Sequence, residues 1–293
     1  MNASDPLVSI GLPVYNAGPD VVEVVKSVLA QDHANLELVI SDNASTDDTE
    51  EVCRDLARAD PRIAYHRNAE NVGLLNNFVL AIQRATGTYF RWIGDDDRLE
   101  PAFASRCLAV FAEDPRLIVV TTGIAYTGPA GTVASTGYDG PGLRAEDPVD
   151  RFSTMLDLLN QSHLTIDPLY AMVRRESIVD IPRRNMLRED EVYATKLALA
   201  GPWGHVPEVL AHRIWKVERI GTVARRLGVP AWQAHAANTL MCREILAWLP
   251  RAGLDDAQLR QARAAVYRMY LRRQGRTLRH RSRKLVRLAT GRR

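Results

Sequence analysis

The first 125 residues alternate short apolar runs with segments of helical spacing. Four apolar runs predict strands, at residues 7–12, 36–40, 62–66 and 88–93. Apolar residues that recur every three or four positions predict helices, at residues 21–29, 45–59 and 73–85 and from Pro101 onward. Strands that alternate with helices in this way are typical of parallel βαβ units. We therefore predict an α/β fold with a mostly parallel central sheet flanked by helices.

The second half of the chain has a less regular pattern. Gly, Pro, Thr and Ser are frequent in residues 123–142, which predicts a hairpin or loop excursion. Further strands are predicted at residues 117–122 and 169–173, and a strand with a loop at 202–215. Further helices are predicted at 147–159, 189–200, 231–249 and 255–273. We expect one domain over residues 1–220, with halves at 1–125 and 126–220, and a C-terminal helical extension over 221–293.

The composition narrows the class of protein. Of the 293 residues, 46% are hydrophobic and 25% are charged, which excludes disordered, collagen-like and disulfide-scaffold classes. Cys53, Cys107 and Cys242 lie far apart, so neither a zinc knuckle nor a disulfide framework is supported. The sequence has no apolar run of ~18 residues, and its N-terminus lacks the pattern of a signal peptide. We therefore expect a cytoplasmic protein.

The C-terminal end is strongly basic. Residues 251–293 contain thirteen arginines and one lysine against Asp255 and Asp256, whereas the rest of the chain has more acidic than basic residues. Such an asymmetry suggests a separate partner for this end. Peripheral contact with anionic lipid at the inner face of the cytoplasmic membrane is one interpretation, and a solvated charged end is another. Nucleic acid is disfavoured, because no aromatic residue follows Tyr270.

Polar residues follow three of the predicted strands at their carboxyl ends, where open parallel sheets bind ligands. These segments are 13–16 (Pro-Val-Tyr-Asn), 41–48 (Ser-Asp-Asn-Ala-Ser-Thr-Asp-Asp) and 94–97 (Gly-Asp-Asp-Asp). Turns and helix caps also use Asn, Asp and Ser, so the first two segments alone do not establish a site. Three adjacent carboxylates are either solvated or hold a cation, and hard divalent cations prefer carboxylate oxygens.

Several common catalytic motifs are absent from the sequence. Neither GxxxxGK[ST] nor GxGxxG occurs, which disfavours P-loop enzymes and dinucleotide-dependent dehydrogenases. The sequence also lacks the Gly-x-Ser-x-Gly elbow of α/β-hydrolases. A further acidic group, Glu189-Asp190-Glu191, opens a predicted helix, where acids also favour the positive end of the helix dipole.

Together these segments resemble the family 2 glycosyltransferases, inverting enzymes with the GT-A fold of the nucleotide-diphospho-sugar transferase superfamily. The resemblance covers about residues 7–215. Five segments occur in the family's order, at 8–16 (VSIGLPVYN), 37–49 (ELVISDNASTDDT), 68–73 (NAENVG), 87–97 (GTYFRWIGDDD) and 189–190 (ED). Five matches in the right order are far more specific than any one of them.

The resemblance implies that residues 1–125 bind a nucleotide-sugar, with UDP- or dTDP-sugars favoured. Tyr15 would stack on the base, and Asp42 would accept a hydrogen bond from it. Pro13 and Asn16 belong to the same base-binding turn. Arg67 would contact the nucleotide or its phosphates.

For the reacting groups, the resemblance implies a divalent cation, Mn²⁺ or Mg²⁺, and a carboxylate base. Asp95 and Asp96 would face the ribose-diphosphate, and Asp96 and Asp97 would bind the metal, with Asp97 as the preferred direct ligand. Asp190 would be the general base, and Glu189 would bind substrate on the acceptor side. A cation offsets charge on the leaving diphosphate, and a placed carboxylate takes the proton of the acceptor hydroxyl.

The sequence departs from the family pattern at three positions. Gly94 stands where the family has the first Asp of its acidic turn, so we expect Asp95 to take over that contact. Asn43 replaces a second Asp. Trp215 stands where many relatives have a histidine, and His212 lies upstream of it, which weakens the case for a metal ligand from this segment.

The resemblance predicts metal-dependent transfer of a sugar, with inversion, to a hydroxyl of a glycan or lipid-linked acceptor, in surface polysaccharide or glycoconjugate biosynthesis. Two alternatives remain open. A nucleotidyltransferase is disfavoured because its Gly-rich basic first loop is absent. A non-catalytic sugar-nucleotide or glycan-binding module remains if Gly94 has disabled catalysis.

Overall fold

The computed structural model describes residues 5–128, 131–134, 141–161, 168–215 and 218–290, and the side chains of residues 276–290 lie outside this description. Its strands are β1 (Val8–Val14), β2 (Leu36–Asp42), β3 (Ile63–Arg67), β4 (Tyr89–Trp92), β5 (Arg98–Leu99), β6 (Val119–Gly128), β7 (Gly131–Ala134), β8 (Met172–Arg174) and β9 (Trp203–Ile214). Its helices are α1 (Val21–Leu29), α2 (Thr49–Ala59), α3 (Leu74–Arg84), α4 (Phe103–Glu113), α5 (Pro141–Arg144), α6 (Pro148–Gln161), α7 (Glu189–Ala200), α8 (Ile220–Arg226), α9 (Gln233–Trp248) and α10 (Asp256–Thr290). The predicted strands and helices are present, and the first two strands end two residues later than predicted.

The nine described strands form one sheet in the order β3-β2-β1-β4-β8-β6-β9-β5, with β7 paired to β6. The α/β class is confirmed. Strands β3, β2, β1 and β4 pair in parallel, as do β6 and β9. The short β8 is antiparallel to β4 and β6, and β5 and β7 are antiparallel to their partners. The prediction of a mostly parallel sheet is therefore approximate. It holds for β1 to β4, where helices connect the parallel strands, whereas β5, β7 and β8 are antiparallel to their partners.

Apolar layers cover both faces of the sheet. Leu38 and Ile40 of β2 belong to the layer built with α1 and α4, whereas Val39 between them belongs to the layer built with α3, α6 and α7. This alternation follows from the two-residue period of a strand. Burial on both faces explains the near-continuous apolar sequence of β2. The two layers hold the carboxyl ends of the strands, and the turns after them, in place.

Pro13 lies inside β1 rather than after it. Proline is rare in central strands because it donates no ladder hydrogen bond. Strand β4 pairs with β1 only as far as Gly11 opposite Trp92, so at Pro13 the partner is Ser41 of β2. β1 and β2 therefore extend past the end of β4, and Asp42 at the end of β2 pairs with Val14 of β1 and Arg67 of β3.

The C-terminal helices share an apolar cluster with α6 and α7. Its buried members include Val149, Phe152 and Leu156 of α6, Val192 and Leu199 of α7, Met241 and Ile245 of α9, and Val266 and Met269 of α10. Full burial of such a side chain contributes about 1.5–3 kcal/mol. The domain boundary at residue 220 stays a prediction. In the part of the chain that the structure describes, no helix has the length and apolarity that crossing a membrane requires.

Candidate active site

Asp42 is the last residue of β2 and is fully buried. Its Oδ1 accepts hydrogen bonds from the backbone N and Oγ of Ser45 at 2.9 and 2.6 Å. Its Oδ2 accepts from the hydroxyl of Tyr65 at 2.7 Å and from Nη1 of Arg67 at 3.0 Å. A carboxylate offers about four lone-pair sites, so protein donors occupy the acceptor capacity of Asp42.

Asp42 is held in its ionised form. Burial raises the pKa of this carboxyl, but the hydrogen bonds from Ser45, Tyr65 and Arg67 outweigh burial and hold the pKa below its ordinary value. Burial and the neighbouring carboxylate raise the pKa of Tyr65, which therefore remains a donor. The sequence did not indicate Ser45 and Tyr65 as partners of Asp42, although Tyr65 and Arg67 stand two residues apart in β3 and share a face.

The turns after β1 and β2 are joined to each other. Asn16 has a φ of 52°, its backbone N donates to Ser45 Oγ at 3.0 Å, and its Oδ1 accepts from the backbone N of Thr46 at 2.8 Å. Tyr15 lies beside it and is 46% exposed. An exposed aromatic ring at a strand end is suited to stacking on a planar group.

A buried polar network supports these turns from below. Asn77 of α3 accepts from Ser41 Oγ at 2.7 Å and from Asn68 Nδ2 at 3.1 Å. Arg84 donates to Ser41 Oγ at 2.8 Å and to Asn68 Oδ1 at 2.7 Å. The network fixes β2 and the segment that carries Asn68 against α3. The sequence feature that could have predicted this network is Asn77, a polar residue on the apolar face of a helix.

The acidic turn after β4 is anchored through Asp97, which is 1% exposed. Both its carboxylate oxygens face Nε of Arg213, at 3.3 and 3.2 Å, and its Oδ2 accepts from the backbone N of Gly94 at 3.0 Å. Burial raises the pKa of Asp97, and Arg213 and Arg91 oppose that rise. The carboxylate is thus directed at a protein cation, whereas Asp95 and Asp96 are half-buried.

Arg91 lies beneath this turn and was not indicated as a site residue by the sequence. It is fully buried, its Nε donates to the carbonyl of Tyr170 at 2.9 Å, and its guanidinium lies 4.5 Å from the ring centroid of Phe103. Burial lowers the pKa of Arg91 to about 10, and Asp97 opposes this effect. Asp97 therefore lies in the field of two arginines. The sequence feature that could have indicated Arg91 is its position as a charged residue within the apolar run 89–93.

Gly94 packs closely against the carboxylate of Asp97. A Cβ atom at this position would lie 2.9 Å from Oδ2 of Asp97 and 3.4 Å from Oδ1 of Asp96. The carboxylate of Asp97 would thus have to shift to admit a side chain at residue 94. This geometry gives a physical reason for glycine where the family pattern has Asp.

The carboxylates of this turn are of the donor type that a divalent cation prefers, and binding of a cation here stays a prediction. No cluster of three or more His, Cys, Asp or Glu with metal-binding geometry occurs among the described residues. Mg²⁺-type cations need only one or two carboxylates together with substrate phosphates and water, and Asp95 and Asp96 offer such oxygens. His212 bonds instead to Glu100, with 2.7 Å between Nε2 and Oε1.

Asp190 lies exposed in the first turn of α7. Glu189, beside it, is buried and bound at both oxygens by Arg183, at 2.7 and 2.5 Å. The Arg183 guanidinium lies 5.5 Å from the ring centroid of Trp92, the last residue of β4. The structure thus places the first turn of α7 beside the end of the strand that leads into the acidic turn. Glu189 is engaged by protein, and its substrate role stays a prediction.

Comparison with known proteins identifies the family. The model of "Glycosyl transferase family 2" matches residues 9–181, more than half of the chain. The chain belongs to this family. The predicted family is confirmed, although the match ends before Asp190, whose role stays a prediction.

Relatives in the family include synthases of polysaccharides. A chondroitin synthase of Pasteurella multocida (strain Pm70) is 34% identical over 141 residues, which are 48% of this chain and 14% of the synthase. A putative colanic acid biosynthesis glycosyl transferase, WcaA of Escherichia coli (strain K12), is 38% identical over 106 residues, 36% of this chain and 38% of WcaA. The chain thus spans only a small part of the synthase it matches.

Solved structures share the fold. S. aureus TarS superposes with a TM-score of 0.64 and 17% identity over 90% of this chain and 43% of TarS. TarS 1-349 in complex with UDP-GlcNAc has a TM-score of 0.62 and 17% identity over 90% of this chain and 72% of that one. These likenesses show the fold, and the predicted GT-A class is confirmed.

Proposed function

We propose that the chain transfers a sugar from a nucleotide-diphospho-sugar to a hydroxyl group of a glycan or lipid-linked acceptor, with inversion at the anomeric carbon. One observation carries this proposal. Arg183 contacts both Trp92 at the end of β4 and Glu189 at the start of α7, so the acidic turn and Asp190 lie at one end of the sheet. These contacts support a leaving-group site and a base at the same end of the sheet.

The donor nucleotide is proposed to bind at the ends of β1 and β2. Exposed Tyr15 offers a stacking surface for the base, and Arg67, whose side chain is 30% exposed and pairs with the buried Asp42, offers a cation at the end of β3. Because Asp42 already accepts four hydrogen bonds, contact with a base requires one protein donor to move. A UDP- or dTDP-sugar is the favoured donor. TarS 1-349 has been solved with UDP and with UDP-GlcNAc, which supports a nucleotide-sugar.

We assign the metal-facing role to Asp96 and Asp95. When bound, Mn²⁺ or Mg²⁺ would offset the negative charge on the leaving diphosphate. A mannosyltransferase of Pyrobaculum calidifontis with a TM-score of 0.54 has been solved with GDP-Man and Mn²⁺. Asp97 holds the turn through Arg213 rather than facing outward, which favours Asp96 over Asp97 as the direct ligand.

Asp190 is proposed as the general base. Its carboxylate takes the proton of the acceptor hydroxyl while the acceptor oxygen bonds to the anomeric carbon. The bond from that carbon to the diphosphate breaks in the same step, and its electron pair leaves with the diphosphate. A single displacement inverts the anomeric centre and requires no covalent nucleophile. Asp190 is exposed, so an acceptor can reach it.

The test is nucleotide release from a panel of UDP-GlcNAc, UDP-glucose, UDP-galactose, dTDP-glucose and GDP-mannose, with and without Mn²⁺. We expect slow, Mn²⁺-dependent release of nucleoside diphosphate from at least one UDP- or dTDP-sugar, and the anomer first seen by NMR should be inverted. Binding to the panel without any release would favour a binding module. Formation of pyrophosphate from a nucleoside triphosphate and a sugar 1-phosphate would favour a nucleotidyltransferase.

We further propose that α10 contacts anionic lipid at the cytoplasmic face of a membrane, in keeping with a lipid-linked acceptor in surface polysaccharide synthesis. Tyr267 and Leu271 are exposed on this helix, and Arg268 is exposed next to Tyr267. Exposed apolar and basic side chains on one helix are the pattern of interfacial helices. The arginines from Arg276 onward continue the basic sequence, but their side chains lie outside the described part.

A further inference from the structure

The segment that leads into Asp190 is held by the C-terminal helices. This segment, residues 184–191, follows the buried Arg183 and includes the first turn of α7. Four contacts join this segment to residues beyond 220: Arg184 to Glu244 at 2.8 Å, Asn185 Nδ2 to the carbonyl of Leu227 at 2.7 Å, the backbone N of Leu187 to Gln233 Oε1 at 3.3 Å, and Glu191 to Arg273 at 2.6 Å. All four lie outside the region that the family model matches.

Arg273 of α10 makes one of these contacts, and its ion pair with Glu191 is largely buried. Its side chain is 10% exposed and that of Glu191 is 15% exposed. The same guanidinium donates to Asn160 Oδ1 at 2.8 Å and to the carbonyl of Leu159 at 2.9 Å, both at the end of α6. A planar guanidinium with several fixed donors can hold three elements in one arrangement. Arg273 thus connects α10 and α6 to the residue that follows Asp190.

The turn before Asp190 has a conformation that needs support. Arg188 has a φ of 63°, in the left-handed region that residues with a side chain rarely adopt. Its guanidinium also binds Glu191, so Glu191 lies between Arg188 and Arg273. Such backbone conformations persist where surrounding contacts hold them. Two cations on one carboxylate fix this turn from both sides.

We propose that Arg273 is a positioning residue for catalysis: through Glu191 it holds the first turn of α7 so that Asp190 meets the acceptor hydroxyl. The inference rests on the proposed role of Asp190 as the base. It makes α10 part of the catalytic unit rather than an appendage. Misplacement of a reacting group by about 1 Å can cost roughly 10²-fold in rate, so a loosened turn should lower kcat.

The test compares Arg273→Ala with Arg272→Ala in the full chain. Arg272 is a matched control, because it is the adjacent residue, lies on the same helix and pairs with Asp157 of α6 at 2.6 Å, with both side chains 58% exposed. UDP release from the most active UDP-sugar of the panel is measured far below the melting temperature. Arg273→Ala should lower kcat roughly 10-fold with KM within about twofold, whereas Arg272→Ala should stay within about twofold of the parent.

Two further variants keep the test decisive if Arg273→Ala folds poorly. Arg273→Lys retains the charge and should recover part of kcat. Glu191→Gln removes the same ion pair from the side of α7 and should reproduce the loss, and combining it with Arg273→Lys should add little. Amide hydrogen exchange over residues 184–192 should speed up in Arg273→Ala and not in Arg272→Ala.

The inference is overturned if Arg273→Ala and Glu191→Gln have the same kcat as Arg272→Ala. A lower melting temperature alone would not support it, because the ion pair would then only stabilise the fold. Asp190→Asn separates this outcome from a failure of the proposed function. Full activity of Asp190→Asn would remove the base assignment, and the inference with it. A strong loss in Asp190→Asn with an unaffected Arg273→Ala would remove the inference alone.

Discussion

The Nε atom of Arg213 lies 3.2 Å from one carboxylate oxygen of Asp97 and 3.3 Å from the other, although 116 residues separate them in the sequence. The pair joins the turn after β4 to the end of β9. It directs Asp97 inward, while Asp95 and Asp96 are half-buried in the same turn. The Arg213–Asp97 pair thus holds the turn through one of its three acidic residues, and the proposed roles of Asp95 and Asp96 toward a substrate stay predictions.

Asp96 and Asp97 should respond differently to neutralisation. Asp97→Asn leaves Arg213 and Arg91 without their carboxylate, and removing one partner of a buried pair costs about 3–5 kcal/mol, so the melting temperature should fall clearly. Asp96→Asn should keep the melting temperature and lose the stabilisation that Mn²⁺ adds in the presence of UDP. Thermal unfolding with and without Mn²⁺ and UDP checks both. The reverse pattern would return the direct metal role to Asp97.

Gly94→Ala tests the packing of the acidic turn. The added Cβ would meet Asp97 Oδ2 at 2.9 Å and Asp96 Oδ1 at 3.4 Å, so we expect a loss of about 1–3 kcal/mol of stability together with weaker Mn²⁺-dependent nucleotide release. Gly221→Ala is the control, because nothing lies within 4 Å of its added Cβ and alanine favours a helix. Unfolding in urea measures both variants. Equal stability of the two would contradict the packing at residue 94.

The low pKa of Asp42 predicts a dependence of stability on pH. A carboxyl with a lower pKa in the folded state stabilises the protein above its unfolded pKa, about 4, and this stabilisation is lost as the pH falls through the folded pKa. The parent should therefore lose unfolding free energy below about pH 4 more steeply than Asp42→Asn. Asp20→Asn, at an exposed position, serves as the control. Parallel curves for the parent and Asp42→Asn would show that this carboxyl is not held ionised.

Asp42→Asn should also weaken binding of UDP, by roughly 10-fold, in line with the loss of about 1.5 kcal/mol for one charged hydrogen bond. Titration calorimetry with UDP measures this directly. Unchanged affinity would restrict Asp42 to holding the turn at the end of β2.

Deleting residues 276–293 separates the basic end from the catalytic unit. The shortened chain retains Arg273 and should keep the parent's rate of UDP release. Its binding to vesicles that contain phosphatidylglycerol should fall, and salt should weaken the binding of the full chain, since basic residues contribute about 1 kcal/mol each near an anionic surface. Sedimentation with vesicles at two salt concentrations checks this. Equal binding by both chains would exclude a membrane role for this end.

The fold could be predicted because its signals are local. The periods of strands and helices indicate the βαβ units, and the topology of parallel sheets places residues 13–16, 41–48 and 94–97 at one edge. The partners within that edge could not be predicted in the same way. Arg213 reaches Asp97 from β9, and no local pattern encodes such a distant pairing.

The contact of Arg273 with Glu191, the residue after Asp190, could not be predicted from the sequence for a related reason. The sequence indicated a basic C-terminal end and treated residues 221–293 as an extension. Arg273 is one of thirteen arginines in residues 251–293, and only the packing of α10 on α6 shows that it turns inward to Glu191. The composition shows that this end has an excess of positive charge, but only the tertiary contacts show which arginine pairs with Glu191.

The most direct test of the account is Asp190→Asn, with the transfer rate and donor affinity measured side by side and Asp157→Asn as an exposed control. If Asp190 is the base, the melting temperature and UDP affinity should hardly change, while transfer should fall by roughly 10²–10⁴-fold. If Asp190 only favours the helix dipole, an effect of about 0.3–1 kcal/mol, stability should fall slightly and transfer should persist. Transfer at the parent rate would contradict the proposed mechanism.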